Sequence, residues 1–349
     1  MITAFDATIE LLSIHYIGNK AKNELCVFSE APLFLLDEQL PTLVLDYLIR
    51  PFEKMEENFQ FFHAAALVLN EVFHYSKEIF QNTMDFHQAS VGIAKHLYNI
   101  SSHPNIKPGE LYVARLKNIL VDGVESEAIG IFKSEIKEPF LKVHRDGSFF
   151  QLQYELDAIN IKKLDKGCLI FNMDEESGYK VMVIDQTNKN SEALYWIDLF
   201  LQLKIRNDEF NQTNNILTVY KSFISEEVDK EIQLTKPEKI DLLNRSIKYF
   251  KEKEQFNLDE FSSEVIGHDH GIKLFKQYKD AYEQRYETDI HDDFTISGSA
   301  VKKQARIYKS VLKLDRNFHI YIHGNSEFIE RGVDSDGRKY YKIYYEQEL

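Results

Sequence analysis

The residues best suited to chemistry lie near the C-terminus. Lys302, Lys303, Arg306, Lys309, Lys313 and Arg316 crowd into one segment whose only acid is Asp315. If that segment is helical, 302, 306, 309 and 313 fall on a single stripe. Further on, Arg338, Lys339 and Lys342 are interleaved with Tyr340, Tyr341, Tyr344 and Tyr345. Cations beside aromatic rings suit a nucleic acid, since Lys and Arg neutralise phosphates while rings stack on bases. The same residues also fit a plainer role, in which the cations solubilise a small module and the tyrosines fill half of its sheet. Neutralising about four phosphates gives a slope of roughly −3.6 in log K against log salt, which describes weak, sequence-independent binding.

A second set is Asp122 followed by Glu135 and Lys137, the latter two as an E-x-K at the end of the strand-like AIGIFKSEIK. Two carboxylates can hold Mg²⁺ while a lysine stabilises developing charge, so the set describes a Mg²⁺-dependent nuclease, for instance within a defence system. An acidic chain also generates D…ExK by chance, and Asp122 beside Gly123 reads equally as a turn residue. His268-Asp269-His270, with His291, Asp292 and Asp293, has the donor types of a metal site but no recognised spacing. Asp269 is better explained as a helix N-cap. Asp334 and Asp336 before Gly337 lack the remaining positions of a calcium loop. There is no GxxxxGK[ST], no GxGxxG after a strand, no GxSxG and no HExxH, so no cofactor and no catalytic residue is assigned.

These residues must be positioned by a chain whose pattern changes once, within residues 191–224. Leu194, Tyr195, Trp196, Ile197, Leu199, Phe200, Leu201 and Leu203 are apolar on nearly every side, which predicts a buried helix. Phe210, Thr213, Leu217, Tyr220 and Ile224 then follow at steps of three and four, the signature of an amphipathic helix. Before this stretch, apolar periodicity predicts helices from Asp37 to Pro51 and over 59–81 and 85–101. Segments 111–120, 128–136, 140–144, 149–156, 167–173 and 179–184, separated by turns, predict an antiparallel meander. After it, Thr235-Lys236-Pro237-Glu238 is a capping box that opens a helix to about Lys253. FHIYIH, FIERGV and KYYKIYY alternate with period two, predicting a small antiparallel sheet at the end. The fold class is therefore α+β: a mixed domain over 1–205, a helical region over 206–290, and a basic segment with a β-hairpin module over 291–349.

The bulk numbers constrain the partners. The 349 residues carry 44% hydrophobic residues and a net charge of −14, a well-cored globular composition that repels polyanions on average. DNA binding must therefore use a local basic patch, helped by a homodimer that presents two patches together. The acidic surface equally suits a protein–protein adaptor. No run of 18 apolar residues predicts a membrane helix. The N-terminus lacks the basic region of a secretory signal. Two cysteines, Cys26 and Cys168, read as reduced core residues, and all of this suits the cytoplasm.

Several stretches resemble one bacterial family. HYIGNK near the N-terminus, HPNIKPGELYV, AIGIFKSE, YWxxxFLQLKxRNDE and TxxxLxxYKSF are similar to the nucleoid-associated protein family called NdpA or YejK-like, particularly its Bacteroidetes-type relatives. The likeness spans essentially the whole chain. It implies location at the nucleoid and non-catalytic binding of double-stranded DNA.

Overall fold

The computed structural model describes residues 2–186, 195–232, 234–286, 288–308, 311–315, 317–321 and 328–347. The chain divides into two compact units, Met1–Arg206 and Asn207–Leu349.

The first unit is built on an 8-stranded antiparallel sheet. In chain order its elements are β1 (Ile2–Thr3), β2 (Thr8–Ile17), α1 (Leu40–Ile49), β3 (Phe59–Phe61), α2 (Glu71–Gln81), α3 (Phe86–Ile100), β4 (Gly109–Val121) and β5 (Val124–Ser134). There follow β6 (Glu138–Asp146), β7 (Phe149–Ala158), β8 (Lys166–Phe171), β9 (Lys180–Asp185), a π-helical segment Tyr195–Leu201, and β10 (Leu203–Ile205). The sheet runs β1-β4-β5-β8-β9-β3-β10, with β2 also on β4. Period-two alternation assigns its faces. Val113, Ile131, Cys168, Ile170, Val181 and Val183 point to one side, where α2, α3 and the π-helical segment cover them. Ala114, Phe132, Leu169, Phe171, Met182 and Ile184 point to the other, against Tyr47, Leu48 and Phe52. A strand buried on both faces needs a continuous apolar run, which is why β8 reads GCLIF. Burial pushes the Cys168 thiol up, out of the reactive range.

Three expectations change here. Residues 59–61 form a strand rather than the start of a helix, because Asn70 caps α2 by accepting from the Phe73 N–H at 3.0 Å. The predicted core helix is the short π-helical segment Tyr195–Leu201, in which Trp196 and Phe200 are fully buried while Leu199 is exposed. Leu203 belongs instead to β10. The meander is also interrupted: β6 and β7 leave the sheet as a separate hairpin, and β5 pairs directly with β8. Asp165 causes that exit by accepting the Glu135 and Ile136 N–H groups, at 2.7 and 2.9 Å, just where β5 ends.

The second unit is mainly helical: α4 (Glu209–Ser222), α5 (Val228–Glu231), α6 (Lys236–Glu252), α7 (Leu258–Phe261), α8 (Asp269–Tyr286) and α9 (Gly298–Ile307), with β11 (Gln255–Asn257) paired to β12 (Asp293–Thr295). Side chains cap most of its helix starts, the expected box among them. Asp208 caps α4, Thr235 and Glu238 form the capping box of α6, and Asn257 caps α7. The N-cap of α8 is His268, whose ring accepts the Gly271 N–H at 2.9 Å, rather than Asp269. An aromatic core of Tyr220, Phe223, Phe250, Phe256, Phe261 and Phe275 holds these helices together. Two hairpins complete the unit, β13 (Val311–Leu314) with β14 (Phe318–Tyr321), and β15 (Ile329–Val333) with β16 (Lys339–Ile343). Phe318–Tyr321, the described part of FHIYIH, pairs backward to Val311–Leu314. Among the described residues no helix is long and apolar enough to cross a membrane.

Candidate nucleic-acid interface

The basic segment is positioned by α9. Ser297 caps it, and Ala300, Val301 and Gln304 face inward, all buried. Gln304 donates to the Asn214 side chain at 2.6 Å and to the Thr218 hydroxyl at 3.2 Å, which fixes the rotation of α9 against α4. That rotation leaves Lys302, Lys303 and Arg306 outward and exposed. None of the three makes an ion pair among the described residues, and Lys303 lies 5.2 Å from the centroid of Phe210.

The helical stripe through 302, 306, 309 and 313 is not formed. The helix ends at Ile307, because the Tyr308 ring turns into the core and its hydroxyl donates to the Leu217 carbonyl. Lys313 lies on β13, where Leu312 and Leu314 alternate inward in the manner of a strand. The Lys313 side chain lies outside the described residues, as do Lys309 and Arg316 altogether.

The final hairpin splits its cations. Lys339 and Lys342 are three residues apart on β16 and so point to opposite faces. Tyr341 packs with Ile329, Leu312, Leu314 and Ile320 on Ile240. Lys342 lies 3.7 Å from Glu330 and 4.8 Å from the Tyr344 ring centroid; a hydrogen bond to Tyr344 holds its ammonium above the usual lysine range. Arg338 approaches Asp336 at 4.0 Å. Acids of the same hairpin thus offset much of its positive charge.

The residues of the D…ExK set are far apart. Asp122 occupies the β4–β5 turn at φ 51° and pairs with Lys180 at 2.6 Å. Glu135 follows the far end of the same hairpin, on the order of 30 Å away at ~3.3 Å per residue. Lys137 pairs with Glu110 at 2.5 Å. The histidines are likewise separated in role: His268 caps α8, and His291 lies 3.2 Å from Asp289.

Around Glu135 lies a cluster that sequence reasoning missed. Lys133, Lys166 and Glu135 are at most 3% exposed, with Asp185 at 9%. The Lys133 ammonium donates to the Lys107 carbonyl at 2.6 Å, Glu135 at 2.9 Å and the Tyr195 hydroxyl at 3.2 Å, so all three of its N–H groups are engaged. Tyr195 in turn donates to Glu135 at 2.8 Å, and Lys166 reaches Asp185 at 2.6 Å. Burial holds Lys133 below the ordinary lysine range, opposed by Glu135, while burial and Glu135 push Tyr195 far up.

The family-like stretches meet beside this cluster. Asn19 of IGNK is fully buried and donates to the carbonyls of His103 and Ile106 at 2.9 and 2.6 Å. A Cβ on Gly18 would come within 2.5 Å of the Leu25 carbonyl oxygen, and one on Gly109 within 1.9 Å of that of Ser134. HPNIKPGELYV supplies Lys107, GIFKSE supplies Lys133 and Glu135, and the YW run supplies Tyr195. The only signal in the sequence was the family likeness of these stretches, since a buried lysine looks like any other in sequence.

Comparison with curated proteins finds no match. The family model described as nucleoid-associated protein YejK matches residues 13–337, nearly the whole length. The chain therefore belongs to the YejK family of nucleoid-associated proteins, whose place is the nucleoid.

Proposed function

We propose that the protein binds double-stranded DNA through its phosphates, without sequence preference and without cleaving it, using the outward face of α9. The observation that carries this reading is the trio Lys302, Lys303 and Arg306, exposed on one arc and free of ion pairs among the described residues. Lys309, Lys313, Arg316, Lys339 and, less effectively, Arg338 and Lys342 would extend the footprint. Three phosphate contacts contribute about −2.7 to the slope of log K against log salt. Binding of that kind is weak per site and steep in salt, which suits a protein that coats DNA, and the net charge of −14 keeps it weak.

The test is fluorescence anisotropy with a random duplex across a salt series, with and without Mg²⁺, while DNA integrity is followed. Wild type should bind steeply and leave the DNA intact. Reversing Lys302, Lys303 and Arg306 to Glu should weaken binding more than tenfold on every sequence and flatten the slope by about 2.7 or more. Unchanged binding removes α9 from the interface. Shortened DNA with Mg²⁺ would favour the nuclease, for which Asp122 and Glu135 offer no common site. The acidity of the chain favours one other reading, an adaptor carried to the nucleoid by a protein. Co-purification that survives DNase treatment would support it.

A further inference from the structure

The connection between β5 and β8 is a long two-stranded arm, β6 and β7, that among the described residues pairs with no other strand. Its register places Leu141 opposite Tyr154, Val143 opposite Leu152 and Arg145 opposite Phe150, all on one face. Lys142, His144, Gln151 and Gln153 occupy the middle of the other, with Phe140 toward its root and Phe149 at its tip. The middle of the arm is amphipathic, yet its apolar face is open: Leu141, Val143, Phe150, Leu152 and Tyr154 are each 63–71% exposed. Two strands alone are marginal in water, so such a face requires a cover. The arm's root is fixed. Asp165 holds Glu135 and Ile136, and Glu138 accepts from Asn160 at 2.9 Å and Lys163 at 3.0 Å.

We propose that this face is the dimer interface, covered by the same arm of a second copy of the chain. Three observations favour that occupant. First, the five side chains present on the order of 700 Å² at roughly 100–170 Å² apiece, close to what each partner gives a standard interface. Second, a two-fold contact must be complementary to itself. The face has its smallest pair, Val143 and Leu152, at the centre, with Tyr154 toward the root and Phe150 toward the tip. Reversing one arm over the other sets each Phe150 against the other copy's Tyr154 and each Leu152 against its own counterpart, with the sheets ~10 Å apart. Third, the arm carries Glu138, Asp146, Glu155 and Asp157 against Lys142 and Arg145, a balance that disfavours a polyanion.

The test is sedimentation velocity of the full chain at micromolar concentration without DNA, so it does not depend on the DNA-binding reading. Wild type should sediment as a dimer. Leu152→Asp with Tyr154→Asp should sediment as a monomer, its dissociation constant raised at least 100-fold and its circular dichroism unchanged, because the arm is exposed in the single chain. Independently, Leu152→Cys should form a reducible covalent dimer under mild oxidation, whereas Gln153→Cys on the opposite face should not; Cys26 and Cys168 provide the baseline in both. A monomeric wild type, a double variant that stays dimeric, or equal cross-linking at 152 and 153 would each overturn the proposal. So would a wild type whose arm variant loses DNA binding with no change in oligomeric state, since the occupant would then be DNA.

Discussion

Two groups of basic residues in this protein share a composition and differ in nearly everything else. Lys133 and Lys166 are buried beside Glu135 and Asp185, with short hydrogen bonds to carboxylates. Lys302, Lys303 and Arg306 stand in solvent on one helix with no carboxylate paired to them among the described residues. Buried charges must be matched within the protein, because water cannot solvate them. Exposed ones can remain unmatched and serve an external anion. Enclosure, not residue type, therefore separates the cations matched inside the first unit from those left open to an external anion.

The largest effect expected from this contrast is on the buried side. Glu135→Ala leaves Lys133 enclosed without its carboxylate and should cost about 3–5 kcal/mol, read from urea unfolding. Replacing Lys133 by Met and Glu135 by Leu together should cost less than Glu135→Ala alone. A double variant as unstable as the sum of the two singles would deny the coupling.

His15 sharpens the comparison with a titratable group. Its ring is buried among Ser90, Ser29 and His87, and burial, followed by the charge of His87, lowers its pKa to about 4. The folded form thus resists protonation while the unfolded chain accepts a proton near pH 6.5. The resulting stability is complete above that pH and falls progressively toward pH 4, by up to about 3 kcal/mol. Urea midpoints at pH 7 and 4.5 should converge in His15→Gln; an equal drop in that variant would place the dependence elsewhere.

The exposed side should respond weakly in stability. The charge reversals on α9 should change unfolding free energy by no more than about 0.5 kcal/mol while they weaken DNA binding. Least of all should follow from Arg338→Ala, since that cation already faces Asp336. A large loss of DNA affinity there would show that the last hairpin, and not α9, leads the interface.

How much of this could be read from the sequence depended on distance along the chain. Local signals carried through: the Thr235 and Glu238 box, and the inward set Phe210, Thr213, Leu217, Tyr220 and Ile224, all buried. Features decided by remote partners did not. Helix α9 stops where Tyr308 meets Leu217, far away in sequence, and nothing near residue 308 announces it. The exit of β6 from the sheet depends on Asp165, which no local pattern links to Glu135. Asp122 and Glu135 looked associated because both flank strand β5, but the ends of one strand are as far apart as the strand is long. Lys339 and Lys342 looked like neighbours until strand alternation set them on opposite faces.

The arm also bears on how quickly the sheet can assemble. Strands β5 and β8 are sheet neighbours separated by residues 135–165, so their pairing must close a long loop. If β6 zips onto β7 first, a contact local in sequence, the loop left to close shrinks to residues 135–137 and 159–165. A roughly threefold shorter loop lowers the entropic cost of closure by about 1 kcal/mol, several-fold in rate if it is felt in the transition state. The hairpin that leaves the sheet would thereby serve as a kinetic splint for the two central strands it joins.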